Sequence, residues 1–342
     1  MEQGHVSIAN KKIHFKVLGE GPPIVLLHPS PHNSIMMLPL AEELASHYTV
    51  FCMDTPGYGA SDALESPPKD LSTYTEIMQG AFSALGLTSL SLYGSATGAQ
   101  LAIRYALENP DEVNHIFLDN SAHFDDTLRS DILKHYFPDL TPQLDGQHLV
   151  RLWDIVSHLF LYFPWCFKSP EYALGREQLP APVLHSIAMD FLRAGGTYDW
   201  AYKAAFEHER AVYVQQMRVP TTIFRWNNSI ITKYVDDLLN FDFPSNVSAI
   251  KIDGDATERM KSMTQYINEK ATGKVFSELP KTFQSTIKGD TIPYNFGNAS
   301  LPVASADGKY LNMAWDMLIA NNPSLNAHDI QSCLVDWFTK SN

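Results

Sequence analysis

The chain has 342 residues, of which 45% are hydrophobic and 18% charged, and it carries a formal charge of −13. This composition supports a large buried core and excludes an intrinsically disordered or collagen-like chain. The excess of acidic side chains opposes binding to a phosphate backbone, so the sequence predicts no nucleic-acid partner.

Strand and helix patterns alternate through residues 1–121. Continuous apolar runs indicate strands that are buried on both faces of a parallel sheet, and segments with helical spacing separate them. The predicted elements are a hairpin over 5–21, a strand over 23–28, a helix over 38–47, a strand over 49–54, a helix over 72–87 capped by Ser72 and ended by Gly86, a strand over 90–93, a helix over 97–108 and a strand over 116–118. This alternation predicts an α/β fold with a mainly parallel sheet and helices on both faces.

A long helical segment then interrupts the strands. Residues 122–210 show helical patterns and many aromatic side chains, and strand patterns return over 221–226 and 247–253. We therefore predict one core domain of about eight strands, formed by 1–121 and 211–272, with 122–210 inserted as a helical cap. Such an insertion covers the carboxyl ends of the strands, where open α/β sheets bind ligands.

The remaining residues, 273–342, repeat a pattern of the cap. The pattern D-G-x-(H/Y)-L-x-x-x-W-D occurs at 145–154 and again at 307–316. We interpret 273–342 as a C-terminal helical extension made of cap-like material; two unrelated amphipathic helices with similar starts are the alternative. Its residues Trp315 and Trp337 need burial, either on the cap of the same chain or across the axis of a homodimer.

Three motifs follow successive predicted strands. These are His28-Pro-Ser-Pro31, Asp54-Thr-Pro-Gly-Tyr-Gly-Ala-Ser-Asp62 and Gly94-Ser-Ala-Thr-Gly98, the last of which opens the helix over 97–108. Together they resemble the α/β-hydrolase superfamily, whose members carry an H-G-x loop, a D-x-x-G-x-G-x-S-D turn and a G-x-S-x-G nucleophile elbow. The resemblance covers roughly residues 5–270 and implies the α/β-hydrolase fold.

The catalytic triad that this resemblance implies is degenerate. Ala96 stands at the nucleophile position of the elbow, and no histidine lies between His208 and His328, so none follows the last predicted strand. Residues 227–229, at the usual acid position, contain no carboxylate. Asp119 follows the sixth strand, which is another acid position in the superfamily. The usual order of nucleophile, acid and histidine is therefore incomplete.

Other groups remain that support chemistry. The resemblance implies an oxyanion hole formed by the backbone N–H groups of Ser30 and Thr97. The candidates for proton transfer are Asp119, His28, His32 and His123, although each histidine has a structural or solvated role as its alternative. The candidate pocket residues are Ser95, His148, Trp153, Trp165, Trp226 and Asn228. The aromatic content of the cap favours an apolar or aromatic small molecule as the ligand.

Three functions are consistent with these residues. The first is an enzyme that acts on such a molecule without a serine nucleophile, by hydrolase, lyase, decarboxylase or isomerase chemistry. The second is a non-catalytic pseudo-hydrolase that binds a ligand or a partner, and the third is a serine hydrolase with Ala96 introduced at its elbow.

The sequence predicts neither a cofactor nor a membrane span. It contains no phosphate-binding loop and no dinucleotide fingerprint, and its three cysteines lack the spacing of a metal site. The N-terminus has no apolar segment typical of a signal peptide, and the longest apolar run, 159–167, is about half of a membrane span. We therefore predict a cytoplasmic protein without a metal site.

Overall fold

A mixed sheet forms the centre of the computed structural model, which describes residues 1–270, 273, 275 and 276 and the backbone of 294–296 and 299–301. Its strands are β1 (Glu2–Ile8), β2 (Lys11–Leu18), β3 (Pro23–Leu27), β4 (Thr49–Met53), β5 (Leu90–Ser95), β6 (Val113–Asp119), β7 (Thr221–Trp226) and β8 (Val247–Ile252). They lie in the order β1-β2-β4-β3-β5-β6-β7-β8. The hairpin β1–β2 joins β4 antiparallel, and the other neighbours are parallel. The predicted eight-stranded, mainly parallel sheet is confirmed.

Helices cover both faces of this sheet. In chain order they are α1 (Leu38–Leu44), α2 (Ser72–Ala84), α3 (Thr97–Glu108), α4 (Asp126–His135), α5 (Gln147–His158), α6 (Ala181–Ala194), α7 (Trp200–His208), α8 (Ala211–Gln215), α9 (Thr232–Leu239) and α10 (Ala256–Glu269). Gly86 follows α2 with a φ of 77°, as its predicted role in ending that helix requires. The predicted cap at Ser72 is wrong, because the Ser72 N–H itself donates to the Asp70 carboxylate, 2.8 Å away.

The core lies on both sides of the sheet. Strands β3, β4 and β5 are buried at every residue, as continuous apolar runs require in a parallel sheet. Helices α4 to α7, here called the cap segment (126–208), lie between β6 and β7 in the chain and contribute their apolar faces to the larger of two core clusters. No helix in the described ranges is both long and apolar enough to cross a membrane.

The C-terminal residues contain a short strand pair. β9 (Tyr294–Phe296) and β10 (Ala299–Leu301) are antiparallel, so the prediction of a helical extension fails for these six residues. The alternation of aromatic and polar residues in β9 favours a strand over a helix. The repeated pattern at 307–316, together with Trp315 and Trp337, lies outside the described residues.

Gly98 sets how closely α3 packs on the sheet. A Cβ atom at this position would overlap the carbonyl oxygen of Leu27, at the end of β3. We expect Gly98→Ala to destabilise the protein by about 1–3 kcal/mol, because backbone at the centre of the fold must move to admit the methyl group. Chemical denaturation measures this change. Gly196→Ala is the matched control, since no atom lies within 4 Å of its added Cβ; equal stability of the two variants would contradict the expectation.

Candidate functional site

A strained turn connects β5 to α3. Ala96 occupies it with φ 48° and ψ −111°, a conformation that L-residues other than glycine seldom adopt. Its N–H donates to the carbonyl of Asp119 on the neighbouring strand β6, at 2.9 Å. The sharp strand-to-helix turn predicted for Ala96 is therefore present, and it carries a methyl group where a nucleophile would stand.

A cavity of about 270 Å³ lies above this turn, between the sheet and the cap segment. Its wall is mostly apolar, with aromatic rings from Phe124, Phe160, Phe163, Tyr202, Phe206 and Trp226. The polar lining residues from the core include Ser30, His32, Ser95, Thr97 and Asn228. Such a concave, largely apolar space with a few polar groups is typical of small-molecule sites.

Two backbone donors face this cavity beside Ala96. The N–H of Thr97 opens α3, where the first N–H groups of a helix have no partner within the helix. Neither this N–H nor that of Ser30 forms a hydrogen bond within the described residues. Both can therefore donate to an oxygen atom of a ligand, as the predicted oxyanion hole requires.

The loop that carries Ser30 is held by a buried carboxylate. Asp54 accepts hydrogen bonds from the N–H of Ser34 at 2.6 Å and from the N–H of Ala60 at 2.9 Å, and it pairs with His14 Nδ1 at 2.8 Å. These contacts lower the pKa of Asp54 against the effect of its burial, so it stays ionised. Gly59, with a φ of 57°, leaves the space that this carboxylate fills. The D-x-x-G-x-G-x-S-D motif thus fixes the loop above β3.

A histidine–carboxylate pair joins this loop to the cap segment. His32 Nδ1 lies 2.7 Å from Asp190 Oδ2 on α6. Arg193 and the Asn33 side chain also donate to Oδ1 of Asp190, at 3.0 and 3.2 Å. Because a carboxylate only accepts hydrogen bonds, Nδ1 carries a proton, so in the neutral form of this cavity-lining ring the lone pair is on Nε2. The pair has the geometry of a general base and the group that orients it.

A second ion pair lies at the carboxyl end of β6. Asp119 is buried, and its Oδ2 accepts hydrogen bonds from Tyr93 at 3.0 Å, from Ser95 at 3.1 Å and from Arg259 of α10. The Arg259 guanidinium also lies 4.8 Å from the centre of the Trp226 ring. Asp119 is thus tied to a cation that cannot exchange protons near neutral pH.

A buried carboxyl group lines the cavity on the side of the cap segment. Glu209 follows α7 and is 6% exposed, and its Oε1 accepts the N–H of Ala122 at 3.1 Å. Burial raises the pKa of Glu209 to about 8, although the hydrogen bonds from Ala122 and Gln100 lower it. Glu209 is therefore largely protonated at neutral pH and can donate a proton into the cavity.

Comparison with known proteins identifies the family. A model of the alpha/beta hydrolase fold family matches residues 22–253. The chain belongs to the alpha/beta hydrolase fold family. The resemblance carried by its three motifs is thereby confirmed.

Its curated relatives include enzymes with several activities. A fluoroacetate dehalogenase from Burkholderia sp is 34% identical over 121 residues, which cover 33% of this chain and 38% of that protein. A haloalkane dehalogenase from Agrobacterium fabrum is 27% identical over 184 residues, which cover 51% and 58%. A pimeloyl-[acyl-carrier protein] methyl ester esterase from Shewanella sp. is 35% identical over 94 residues, which cover 28% and 34%. The chain thus spans between about a third and three fifths of the length of these relatives.

Solved structures of this hydrolase fold superimpose on most of the chain. Epoxide hydrolase A from Mycobacterium thermoresistibile has a TM-score of 0.59 at 17% identity, covering 81% of this chain and 99% of its own. An alpha/beta hydrolase from Sphaerobacter thermophilus has a TM-score of 0.56 at 19% identity, covering 78% and 100%. At these identities the likeness shows the fold alone.

Several of the predicted site residues of this hydrolase-fold chain come together. Ser30, His32, Ser95, Ala96, Thr97, Trp226 and Asn228 all line the one cavity. Asp119 is outside the lining, but it contacts the lining residue Ser95 and pairs with Arg259.

Two predicted proton carriers lie elsewhere. His28 is buried with both ring nitrogens in use, one bonded to the carbonyl of Pro29 and the other accepting the N–H of Thr55, each at 3.0 Å. His123 accepts the N–H of Ala211 at 3.1 Å and packs against the edge of Phe241. Burial lowers the pKa of both histidines. Neither histidine lines the cavity, so the structure does not bring them together with the other predicted site residues.

Three predicted pocket residues are also outside the cavity lining. His148 accepts the N–H of Gln143 at the start of α5, and Trp153 on the same helix is 44% exposed. Trp165 is buried in the cap segment, where its Nε1 donates to the carbonyl of Tyr136. Helical periodicity explains the error, since α5 turns its Leu152, Ile155 and Val156 face inward and its Trp153 face outward.

The sequence predictions missed four charged or titratable residues at the site. Arg176, Glu209 and Arg259 line the cavity, and Asp190 lies behind His32. Asp190 had a weak signal: the cap copy of the repeated pattern is followed by a predicted helical segment that contains Asp190, as the second copy is followed by one that contains Asp336. Arg259 lies in the helix after the last strand, near the position where the superfamily carries its histidine. Among the described residues, no three His, Cys, Asp or Glu side chains are grouped in a way that could hold a metal ion.

Proposed function

We propose that the chain is a hydrolase that cleaves a small, largely apolar acyl compound by direct attack of water, with no covalent intermediate. One observation carries the proposal: the His32–Asp190 pair shares an apolar cavity with the free N–H groups of Ser30 and Thr97, above an elbow without a nucleophile. The names of the relatives, which include dehalogenases and an esterase, support hydrolytic chemistry.

His32 supplies the base in this scheme. Nε2 takes a proton from a water molecule while the water oxygen bonds to the carbonyl carbon of the substrate. Asp190 keeps the ring in the tautomer with the proton on Nδ1 and stabilises the imidazolium that forms. The small Ala96 side chain leaves room for water beside the carbonyl carbon.

The backbone N–H groups of Ser30 and Thr97 stabilise the resulting oxyanion. As water attacks, the carbonyl π electrons move to oxygen, which accepts hydrogen bonds from Ser30 N–H and Thr97 N–H. The position of Thr97 at the start of α3 adds the positive end of the helix dipole. This stabilisation needs no side-chain nucleophile.

Glu209 serves as the acid. When the tetrahedral intermediate collapses, the oxyanion re-forms the carbonyl and the bond to the leaving group breaks. The leaving group takes the proton of the Glu209 carboxyl, which lines the same cavity. His32 then holds one additional proton and Glu209 lacks one, and exchange with solvent restores both.

A binding function without turnover is the second candidate. It is favoured by Ala96, which has no reactive atom, and by the ion pair that removes Asp119 from proton transfer. Assay of the full chain against short-chain aryl esters, such as p-nitrophenyl acetate, separates the two functions. Turnover that is insensitive to phenylmethylsulfonyl fluoride supports the hydrolase; no turnover across the series supports the binding protein.

We expect Ala96→Ser to leave ester hydrolysis unchanged or slower. No histidine follows β8 before His328, and Asp119 is paired with Arg259, so the new hydroxyl would lack the usual triad partners, while His32 activates water in this scheme; an unactivated serine is a poor nucleophile. It would also occupy space that the attacking water needs. Steady-state rates with the serine-directed inhibitor test this; a faster enzyme that the inhibitor inactivates would show that a relay to position 96 exists.

A further inference from the structure

We propose that Arg176, with Arg259 beside it, forms a subsite for a carboxylate, so that the substrate is an organic anion with an apolar body. This inference deepens the proposed function, on which it rests for taking the cavity as the substrate site. The charge and the shape of the cavity wall carry it.

The two arginines lie at the same wall. Arg176, from the loop between α5 and α6, donates to the backbone carbonyl of Asn228 at 2.5 Å. Arg259, from α10, stacks on the ring of Trp226. The Asn228 and Trp226 side chains both donate to the carbonyl of Gly254, at 2.9 and 3.0 Å, so the loop after β7 places both guanidinium groups at one end of the cavity.

The charge of Arg176 is not compensated within the described residues. Asp119 pairs with Arg259, and Asp190 pairs with His32 and Arg193. Glu209, the carboxyl that lines the cavity, is largely protonated at neutral pH. Arg176 forms no ion pair in this part of the chain, so the cavity presents a net positive charge to a ligand.

Much of the remaining lining is apolar. Phe124, Leu159, Phe160, Phe163 and Phe206 line it. A molecule with an aromatic or aliphatic body can pack against these side chains while a charged group on it contacts the arginines. A guanidinium binds a carboxylate through two parallel hydrogen bonds, which a neutral amide of the same shape cannot reproduce.

The test compares binding of phenylacetate with binding of phenylacetamide, its neutral counterpart of similar shape, to the full chain by titration calorimetry. We expect phenylacetate to bind at least about tenfold more tightly at low salt, and this preference to decrease as salt increases. Arg176→Gln should abolish most of the preference, and Arg176→Lys should retain part of it. Arg151→Gln is the matched control, since Arg151 is also an exposed arginine that donates to a backbone carbonyl, that of Asp139, outside the cavity lining.

Each contrary outcome overturns the proposal. Equal affinities in the unmodified chain, no binding of either compound, or a preference that survives in Arg176→Gln would exclude the subsite. Because binding needs no turnover, failure of ester hydrolysis would leave this result intact, and loss of the preference would leave the hydrolytic function intact.

Discussion

Replacing His32 by glutamine is expected to lower the rate of aryl ester hydrolysis by a factor of about 10²–10⁴, the contribution typical of a positioned general base. Glutamine can still donate a hydrogen bond to Asp190, which keeps the contact between the β3 loop and α6, but it cannot accept a proton from water. The steady-state kcat for p-nitrophenyl acetate measures the loss. The melting temperature, measured beside it, should stay close to that of the unmodified chain.

His185→Gln is the matched control for this experiment. His185 is an exposed histidine on α6, the same helix as Asp190, and it does not line the cavity. Its replacement should leave kcat unchanged. A His32→Gln variant that keeps full activity would remove His32 from the mechanism, and an equal loss in both variants would indicate that histidine content alone matters.

Replacing Glu209 by glutamine is expected to remove a large pH dependence of stability. The pKa of Glu209 rises from 4.5 to about 8 on folding, because burial penalises the charged carboxylate. Between these values the unfolded chain has released the proton and the folded chain still holds it, so stability falls as pH rises. The slope reaches about 1.4 kcal/mol for each pH unit, and the loss is complete above about pH 8.

The difference between the two proteins isolates this effect. Glutamine resembles the protonated carboxyl and can still accept the N–H of Ala122, so the variants should be similar near pH 4. Above that pH, denaturation should show Glu209→Gln becoming progressively more stable than the unmodified chain, up to about pH 8. Glu207→Gln, an exposed glutamate on α7, should show no such trend. Parallel pH curves for Glu209→Gln and the unmodified chain would mean that Glu209 is ionised in the fold.

The cap segment supplies the carboxylate that orients the proposed base, His32. Asp190 comes from α6, whereas His32 comes from the loop after β3, and 158 positions separate them in the chain. The hydrogen bond from Ala122 N–H to Glu209 joins the residues just before and just after this segment. A motion that moved α6 away from the β3 loop would separate His32 from the carboxylate that orients it.

Local sequence patterns were enough to predict the backbone elements that surround the site. Buried parallel strands appear as continuous apolar runs, and the glycines of the elbow stand where a side chain would overlap neighbouring backbone, so the sheet, the strained turn at Ala96 and the oxyanion donors could be predicted. The family match confirms the alpha/beta hydrolase fold.

The chemical groups at the site were harder to predict, because their roles come from distant contacts. Histidine has the same appearance in a sequence whether it braces a loop, as His28 does, or faces a cavity, as His32 does. The burial of Glu209 depends on the packing of α7 against α3 and α4. The pairing of Asp119 with Arg259 joins residues 140 positions apart, which no local pattern reveals.

Intact-protein mass spectrometry of the full chain, quenched during steady-state hydrolysis of p-nitrophenyl acetate, shows whether the protein becomes acylated during turnover. Direct attack of water predicts that the protein keeps its unmodified mass throughout turnover, with product released and no initial burst. An acetyl adduct on a residue that lines the cavity, formed and lost at the rate of turnover, would contradict the account and identify a covalent nucleophile.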